Sequence, residues 1–182
     1  MIIKYFDLKK NLNKDTNFFL LYGLNIGLIE ETINNVFKPI LSKNIFNYEE
    51  NEIFANIEEF KENIFNKSFF ENDKLIIINR VTDKILAVIE DIIDKNVTET
   101  TIILKSSNLE KKSKLRNFFE KDKKVIITPF YEDTYQSLMI VAQNFFKEKK
   151  IKISPQNINL IIERSKGNRI SLKNELKKIE SF

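Results

Sequence analysis

The chain contains no cysteine and no histidine, and only 3 glycines and 3 prolines among its 182 residues. Without cysteine there are no disulfides, thiolate nucleophiles or cysteine-bound metals. Without histidine there is no Ser-His or Cys-His nucleophile pair, no histidine general base and no histidine-ligated zinc. So few glycines and prolines leave little room for linkers or disordered segments. Any enzymatic activity is therefore restricted to carboxylates, lysine, tyrosine, serine and threonine.

The charge balance is only mildly basic. The 30 Lys and Arg residues exceed the 26 Asp and Glu residues by 4, and 42% of the residues are hydrophobic. This composition is typical of a globular protein, and the dispersed charge predicts solubility rather than a particular partner. The N-terminal residues MIIKYFDLKK lack the apolar core of a signal peptide, and no apolar run approaches the length of a membrane span. We therefore expect a cytoplasmic protein without a membrane partner.

Residues 17–36 contain the strongest local pattern in the chain. Five consecutive apolar residues, Phe18–Tyr22, end at Gly23, and a second glycine, Gly27, follows a short loop. Apolar residues then recur at three- and four-residue spacing up to Phe37, which is typical of an amphipathic helix. A fully apolar short strand that leads through a glycine turn into a helix predicts the start of a parallel α/β sheet with both faces covered.

Four more apolar runs follow at a regular rhythm. The predicted strands lie at 45–48, 75–78, 101–104 and 125–128, and the predicted helices lie near 57–67, 83–95 and 113–121. Strands that alternate with helices predict right-handed βαβ units and one parallel sheet. We therefore expect an α/β domain over residues 1–130, in which helices flank a five-stranded parallel sheet.

Three details of this domain are also predicted. Residues 1–9 form either an edge strand or a short lead-in to the domain. The first helix ends at Pro39, because proline interrupts helical hydrogen bonding. An acidic loop follows the second strand and leads to the helix near 57–67.

The pattern changes after Pro129. A long helical stripe at 135–146 is not followed by a strand. Ser154 and Pro155 are typical of the N-cap and first residue of a second helix, which Gly167 ends. A third apolar stripe lies at 172–179. Residues 131–182 are therefore predicted to form a small helical lid domain, and three short helices bury little apolar surface by themselves.

A five-stranded parallel sheet followed by a helical lid is the architecture of AAA+ ATPases, whose phosphate-binding loop follows the first strand. Here that loop carries Gly23, Asn25 and Gly27, but the glycines are one residue too close for the motif G-x-x-x-x-G-K-[ST]. Leu28 and Ile29 replace its lysine and hydroxyl residue. The third strand is also followed by asparagine and arginine, where an acid would hold magnesium. We predict a degenerate phosphate loop, no ATP hydrolysis, no cofactor and no metal.

The end of the helix near 57–67 carries a second candidate site. At about 100° per residue, Phe65 and Phe69 lie on a stripe turned away from the apolar face, and Phe70 lies on the other flank. Protruding adjacent aromatic side chains are typical anchors of a protein interface. Alternatively, the helix ends at Ser68 and both rings fold back into the core. The pattern alone leaves both interpretations open.

Several segments, taken in their order and spacing, resemble the delta-subunit family of the bacterial DNA polymerase III clamp loader across the whole chain. They are LLYG at 20–23, KSFF at 67–70, KLIII at 74–78, LEKKSKLR at 109–116, PFYE at 129–132, RSKGNR at 164–169 and LKNEL at 172–176. The resemblance implies an AAA+-like domain without ATPase activity. It also implies a third, helical collar domain, to which nothing in these residues corresponds.

In this family, a helix presents two adjacent hydrophobic side chains to the sliding clamp and opens the ring. The resemblance places Phe69 and Phe70 at those positions, where leucine and phenylalanine are usual, with Ser68 and Phe65 on the same predicted clamp-binding surface. The implied partners are the sliding clamp (beta subunit), the gamma/tau and delta prime subunits, and DNA within the assembled complex. The implied setting is the DNA polymerase III holoenzyme in the nucleoid-associated replisome.

Two further features have alternative interpretations. Lys111, Lys112, Lys114 and Arg116 form a basic cluster at the start of a helix, which is either a solvated helix face or a contact for DNA or a partner. Arg169 lies where active AAA+ relatives use a lid arginine to sense nucleotide, and without a phosphate loop we expect it to form a structural ion pair. The alternative functions are a degenerate nucleotide-binding AAA+ ATPase and a basic DNA-binding module.

Overall fold

The computed structural model describes residues 1–12, 16–41, 44–65, 73–95, 97 and 99–181. The chain divides into two compact units, Met1–Phe130 and Tyr131–Phe182. Each unit has a hydrophobic core of its own. Within the described ranges, no helix is long and apolar enough to cross a lipid bilayer.

The first unit is built around a parallel sheet. Its strands are β1 (Phe18–Tyr22), β2 (Asn44–Glu49), β3 (Lys74–Asn79), β4 (Thr100–Ser106) and β5 (Val125–Pro129). They pair in the order β2-β3-β4-β1-β5, and every pair is parallel. All of β1 and the central residues of β3 are buried, as expected for parallel strands with helices on both faces. The predicted α/β fold and its five strands are confirmed.

Helices cover both faces of this sheet. They are α1 (Ile26–Thr32), α2 (Lys38–Leu41), α3 (Glu50–Ala55), α4 (Ile57–Phe65), α5 (Leu86–Asp94) and α6 (Lys114–Lys121). Because side chains alternate along each strand, successive residues contribute to opposite cores. One core contains Phe19 of β1 with residues of α1, and the other contains Leu20 with residues of α3 to α6.

The predicted end of the first helix at Pro39 is wrong. The helix continues from α1 through a π-helical turn, Ile33–Phe37, into α2, where Pro39 is the second residue. A proline lacks the N–H of a helical hydrogen bond and crowds the carbonyl four residues earlier. The wider π-helical turn immediately before α2 displaces those carbonyl groups, so the helix passes through the proline.

The predicted acidic loop after β2 is also wrong, because this segment forms α3. Glu49 and Glu52 form a capping box, in which the amide of Glu49 donates to the Glu52 carboxylate at 2.7 Å. Acidic residues in the first turn also suit the positive end of the helix dipole. Ile53 is fully buried and attaches this short helix to the sheet.

Residues 1–9 form a lead-in rather than an edge strand. Ile2 makes a single parallel bridge to Ile127 of β5, and the amide of Ile3 donates to the carbonyl of Ile127 at 3.0 Å. A 3-10 helix, Tyr5–Asn11, follows and buries Leu8 completely. This segment covers part of the edge that β5 would otherwise expose.

The second unit contains the three predicted helices, α7 (Tyr135–Glu148), α8 (Pro155–Arg164) and α9 (Arg169–Glu180). The amide of Asn157 donates to the side chain of Ser154 at 3.2 Å, which confirms the predicted N-cap of α8. Gly167 follows α8 with a φ of +75°, a left-handed conformation common after helix ends. The core residues are Leu138, Ala142, Phe146, Ile158, Ile162, Leu172 and Leu176.

Candidate functional site

Gly23 directly follows β1 and has a backbone conformation that few residues other than glycine adopt. Its φ is +139°, and a Cβ atom added there would lie 2.0 Å from the carbonyl oxygen of Phe130. The amide of Phe130 donates to the carbonyl of Tyr22 at 2.7 Å, and its carbonyl accepts a hydrogen bond from the amide of Asn25 at 3.4 Å. The chain that leaves β5 therefore occupies the space in front of Gly23.

Several backbone amides of the degenerate phosphate loop are bonded within the protein. In a phosphate-binding loop, the N–H groups point at the ligand. Here the amide of Gly23 donates to a carbonyl at the end of β4 at 3.1 Å, and the amide of Leu28 donates to the side chain of Asn25 at 3.1 Å. Asn25 is buried, whereas Leu24 and Ile26 expose apolar side chains. The hydrogen-bonding groups thus serve the fold, and the exposed side chains do not suit a phosphate.

A lysine side chain from β4 lies against the carboxyl end of β3. The side-chain oxygen of Asn79, the last residue of β3, accepts a hydrogen bond from Lys105 Nζ at 2.8 Å. Lys105 lies in β4, and its ammonium group also pairs with the carboxylate of Glu30 in α1. The amide of Asn79 carries no charge to attract a divalent cation, and the neighbouring carboxylate is already paired with a cation. These residues do not fit a magnesium-nucleotide complex.

Neither Lys105 nor Glu30 is among the residues predicted from the sequence. Lys105 is the single charged residue in β4, and only 16% of its side chain is exposed. A lysine in an otherwise buried strand requires a polar partner, which is the signal that points to it. Its partner lies 75 positions away in the sequence, so no local pattern identifies the pair.

The start of α6 is capped by Asp83. The hydroxyl of Ser113 donates to the Asp83 carboxylate at 2.5 Å, and the amides of Lys114 and Leu115 donate to it at 3.0 and 3.1 Å. The Ser113 hydroxyl and these two amides hold the pKa of Asp83 below its ordinary value. The positive end of α6 is therefore bound by a carboxylate of the protein itself.

The members of the basic cluster at this end of α6 have different surroundings. Lys111, Lys112 and Lys114 are exposed, and Lys112 pairs with an exposed glutamate at 2.9 Å. Arg116 is half-buried, and its guanidinium lies 5.1 Å from the ring centroid of Tyr22. It also pairs with the glutamate one turn later at 2.8 Å. The structure thus separates a packed arginine from three lysines that face solvent.

Phe65, the last residue of α4, does not lie on an outward stripe as predicted. It is half-buried and packs against the core that α3 to α6 share with the sheet. Lys95 Nζ lies 4.5 Å from the centroid of the Phe65 ring, so a cation–π contact covers the exposed side of the ring. Ser68, Phe69 and Phe70 lie outside the described residues.

Arg169, in the second unit, forms the predicted structural ion pair. Its Nε and Nη2 atoms donate to the two carboxylate oxygens of Asp133, each at 2.7 Å. Both side chains are buried, at 8% and 4% exposure. Ser137 also donates to Asp133 at 2.7 Å. The arginine therefore holds the start of the second unit against α9, and the predicted ion pair is confirmed.

The strand order, the helices on both faces and the C-terminal helices define an AAA+-like fold. A family model described as DNA polymerase III, delta subunit, matches residues 19–130, which is more than half of the chain. The chain belongs to this delta-subunit family. No curated protein sequence matches it significantly.

Solved structures share this fold at low sequence identity. The Bacillus subtilis DNA clamp loader delta protein (YqeN) has 17% identity and a TM-score of 0.64, over 98% of this chain and 57% of that one. The Thermotoga maritima RuvB Holliday junction branch migration motor has 15% identity and a TM-score of 0.65, over 97% and 58%. A replication initiator DnaA bound to AMPPCP and single-stranded DNA has 17% identity and a TM-score of 0.59, over 97% and 59%. The chain thus spans less than two thirds of each.

Proposed function

We propose that this chain is a non-catalytic clamp-loader subunit, which binds the DNA sliding clamp through the segment containing Phe69 and Phe70 and opens the ring. The observation that supports the proposal is the site at the ends of β1 and β3, where the Phe130 carbonyl lies against Gly23 and Lys105 binds Asn79, in a chain of the delta-subunit family. A subunit with such a site contributes protein contacts to an ATP-driven assembly. ATP then binds to sister subunits.

Ring opening requires no bond chemistry in this subunit. A ligand shifts a conformational equilibrium only by its difference in affinity for the two states, so the segment must bind the open clamp more tightly than the closed clamp. Burying the two rings in a pocket of the clamp supplies about 1.5–3 kcal/mol per phenylalanine. Phe65 supports the end of α4 from within, because its ring is packed against the core.

Titration of the closed clamp and of a monomeric clamp variant with this chain tests the proposal. We expect saturable binding to both, tighter binding to the monomeric form, and no effect of magnesium-ATP on either affinity. An ATPase assay on the same preparation should give no protein-dependent hydrolysis. Equal affinities for the two clamp forms, or a failure to bind either of them, would contradict clamp opening by this chain.

DNA is a second proposed partner, within an assembly that includes the gamma/tau and delta prime subunits. The exposure of Lys111, Lys112 and Lys114 on one end of α6 favours a contact with backbone phosphates. Replacing all three by alanine should weaken DNA binding by the assembled loader and reduce its salt dependence. Arg116→Ala, which removes a packed arginine, should leave the salt dependence unchanged. An unchanged salt dependence in the triple variant would exclude this contact.

A further inference from the structure

A cavity of about 400 Å³ opens at the carboxyl ends of β3 and β4. Its lining includes two cationic side chains, Arg80 and Lys112, and the neutral polar side chains of Ser107 and Asn108. The degenerate phosphate loop, which follows β1, contributes none of the described residues that line this β3–β4 cavity. In open α/β sheets, ligands bind in crevices outside the carboxyl ends of the strands. The position and the lining of the cavity are therefore those of a site for an anion.

Arg80 has a left-handed backbone conformation, which costs an arginine more than a glycine. Its φ is +54°, and it directly follows the last residue of β3. The next residue is fixed on both sides, because the amide of Val81 donates to the carbonyl of Lys105 at 2.9 Å and its carbonyl accepts from the Ser106 hydroxyl at 3.0 Å. Residues held in unfavourable conformations by their surroundings concentrate at functional sites. Here β4 imposes the conformation on a residue whose side chain lines the cavity.

The guanidinium group of Arg80 has more donors than its carboxylate partner uses. Its Nε lies 2.8 Å from a carboxylate oxygen of Glu49, and 81% of the Arg80 side chain is exposed. A guanidinium carries five N–H donors, and a contact through Nε occupies only part of them. The planar fork of a guanidinium matches two oxygens of one phosphate. Arg80 can therefore bind a phosphate while it stays paired with Glu49.

The carboxylates beside the cavity are bound by groups of the protein itself. Asp83 accepts the three hydrogen bonds that cap α6, and Glu110 lies 2.9 Å from Lys112 Nζ. Glu50 is buried and accepts hydrogen bonds from the amide and the hydroxyl of Thr82. Hydrogen bonds or a cation thus offset the negative charge of each carboxylate. The pair between Lys112 and Glu110 is exposed and weak, so a phosphate can replace the glutamate.

Ser107 and Asn108 add neutral hydrogen-bond donors to the lining. Both are exposed, and no hydrogen bond joins either side chain to another residue within the described ranges. Hydroxyl and amide side chains are common ligands of DNA phosphates, alongside arginine and lysine. The β3–β4 cavity therefore combines charged and neutral donors that one phosphate can share.

We propose that the β3–β4 cavity binds a backbone phosphate of DNA, with Arg80 as its main ligand. This inference rests on the proposed DNA contact of the assembled loader. Lys112 belongs both to the lining of the cavity and to the exposed lysines at the start of α6, so the cavity continues that surface. Phosphate contacts fix the register of a protein on DNA and carry no sequence information. The cavity thereby positions the DNA backbone on the chain.

Arg80→Gly separates DNA binding from stability. Glycine removes the guanidinium and adopts the left-handed conformation without strain, so the thermal midpoint should stay unchanged or rise. A loader assembled with this variant should bind a short fluorescent DNA duplex about 5- to 10-fold more weakly. The slope of log affinity against log salt concentration should also become shallower by about 1. Lys150→Gly makes the same change at another exposed basic residue, with a φ of +57°, and should bind DNA like the parent chain.

Ser107→Ala/Asn108→Ala keeps the inference testable if Arg80→Gly lowers the thermal midpoint. This double variant removes neutral donors and no charge, so it should weaken DNA binding about 3-fold and keep the salt dependence of the parent chain. Parent-like DNA affinity in the stable double variant would show that the cations act only as a general positive surface. That result would overturn the cavity as a phosphate site.

The outcomes separate this inference from the proposed DNA contact. If Arg80→Gly binds DNA like the parent chain while the alanine variant of Lys111, Lys112 and Lys114 binds weakly, the cavity is overturned and the DNA contact stands. If neither variant changes DNA binding, both proposals fall. If Arg80→Gly loses saturable binding of inorganic phosphate but keeps its DNA affinity, the cavity takes free phosphate instead, which also overturns the inference. Clamp binding, measured without DNA, is independent of these outcomes.

Discussion

The carbonyl oxygen of Phe130 lies so close to Gly23 that no side chain fits between them. A Cβ atom at position 23 would be 2.0 Å from this oxygen, in a backbone conformation of φ +139°. The glycine is therefore required by the approach of the chain that leaves β5. In the sequence, Gly23 suggests a phosphate-binding loop, but in the structure its lack of a side chain is required by the packing of the Phe130 backbone.

Gly23→Ala should destabilise the protein far more than Gly167→Ala. Alanine at 167 meets only the cost of a left-handed conformation, about 1–2 kcal/mol, because nothing lies within 4 Å of its Cβ. Alanine at 23 adds an overlap with rigid backbone, and we expect a loss of about 3 kcal/mol or more. Urea unfolding followed by circular dichroism measures both. Equal losses of stability in the two variants would show that the backbone at Phe130 moves easily to accommodate the added methyl group.

Arg169→Met should strongly destabilise the second unit. It leaves the carboxylate of Asp133 buried without its main partner, which typically costs about 3–5 kcal/mol. The control is Lys178→Met, which removes an exposed pair with Glu175 and should cost less than about 1 kcal/mol. Adding Asp133→Leu to Arg169→Met should recover much of the loss. Chemical denaturation of the four proteins decides whether the arginine is structural.

The cap of α6 should make stability fall at acid pH. Because the pKa of Asp83 is lowered in the folded protein, the unfolded chain binds this proton more tightly. The stabilisation is present above the ordinary pKa of 3.8 and is lost as the pH falls through the lower folded value. Since Asp83 is largely exposed, solvent screening keeps its contribution to the free energy of unfolding below about 1 kcal/mol.

Thermal unfolding midpoints of Asp83→Asn and of the parent chain, compared from neutral to acid pH, measure the contribution of Asp83 to stability. The variant should be less stable than the parent chain at neutral pH, and the difference should shrink below the ordinary pKa of aspartate. Glu90→Gln removes a carboxylate from the exposed surface of α5 and should keep the pH dependence of the parent chain. A pH-independent difference between Asp83→Asn and the parent chain would assign its effect to something other than this cap.

Magnesium-ATP should neither bind to the chain nor stabilise it. A ligand at 100 times its dissociation constant would add about 2.7 kcal/mol of stability, which a thermal melt detects easily. Asn79→Asp restores an acid at the end of β3, but the amides of Gly23 and Leu28 remain bonded within the protein, so we expect no binding there either. Saturable micromolar binding in isothermal titration, to either protein, would support the alternative of a degenerate nucleotide-binding protein.

The sheet was predictable because each strand is an apolar run between helical patterns. By contrast, α3 contains a single fully buried apolar residue, Ile53, and its capping box consists of glutamates that resemble an acidic loop. The helix continues past Pro39 because a π-helical turn precedes it. The expectation that proline ends a helix considers the proline alone, so it could not predict this turn.

The candidate site was predictable only where the residue types themselves differ from those of a phosphate-binding motif. The replacement of lysine and hydroxyl residues by Leu28 and Ile29 is visible in the sequence. The Lys105 pairing with Glu30, and the Phe130 oxygen in front of Gly23, join residues that are distant in the chain, so they required the fold. Periodicity within α4 predicts the wrong side for Phe65, because it contains no information about Lys95, which follows α5 and contacts the Phe65 ring.

The affinity of the sliding clamp for the Phe69→Ala/Phe70→Ala double variant tests the proposed function most directly. Removal of two interface anchors should weaken binding by about 30-fold or more, at about 1.4 kcal/mol per tenfold change. Tyr5→Ala/Phe6→Ala, the same change at an adjacent aromatic pair whose side chains are exposed, should leave the affinity unchanged. The thermal midpoint of the double variant should match the parent chain, because a core pair would lose about 3–5 kcal/mol per phenylalanine. A stable double variant that binds the clamp normally, or one that unfolds, would contradict the clamp-binding role of this segment.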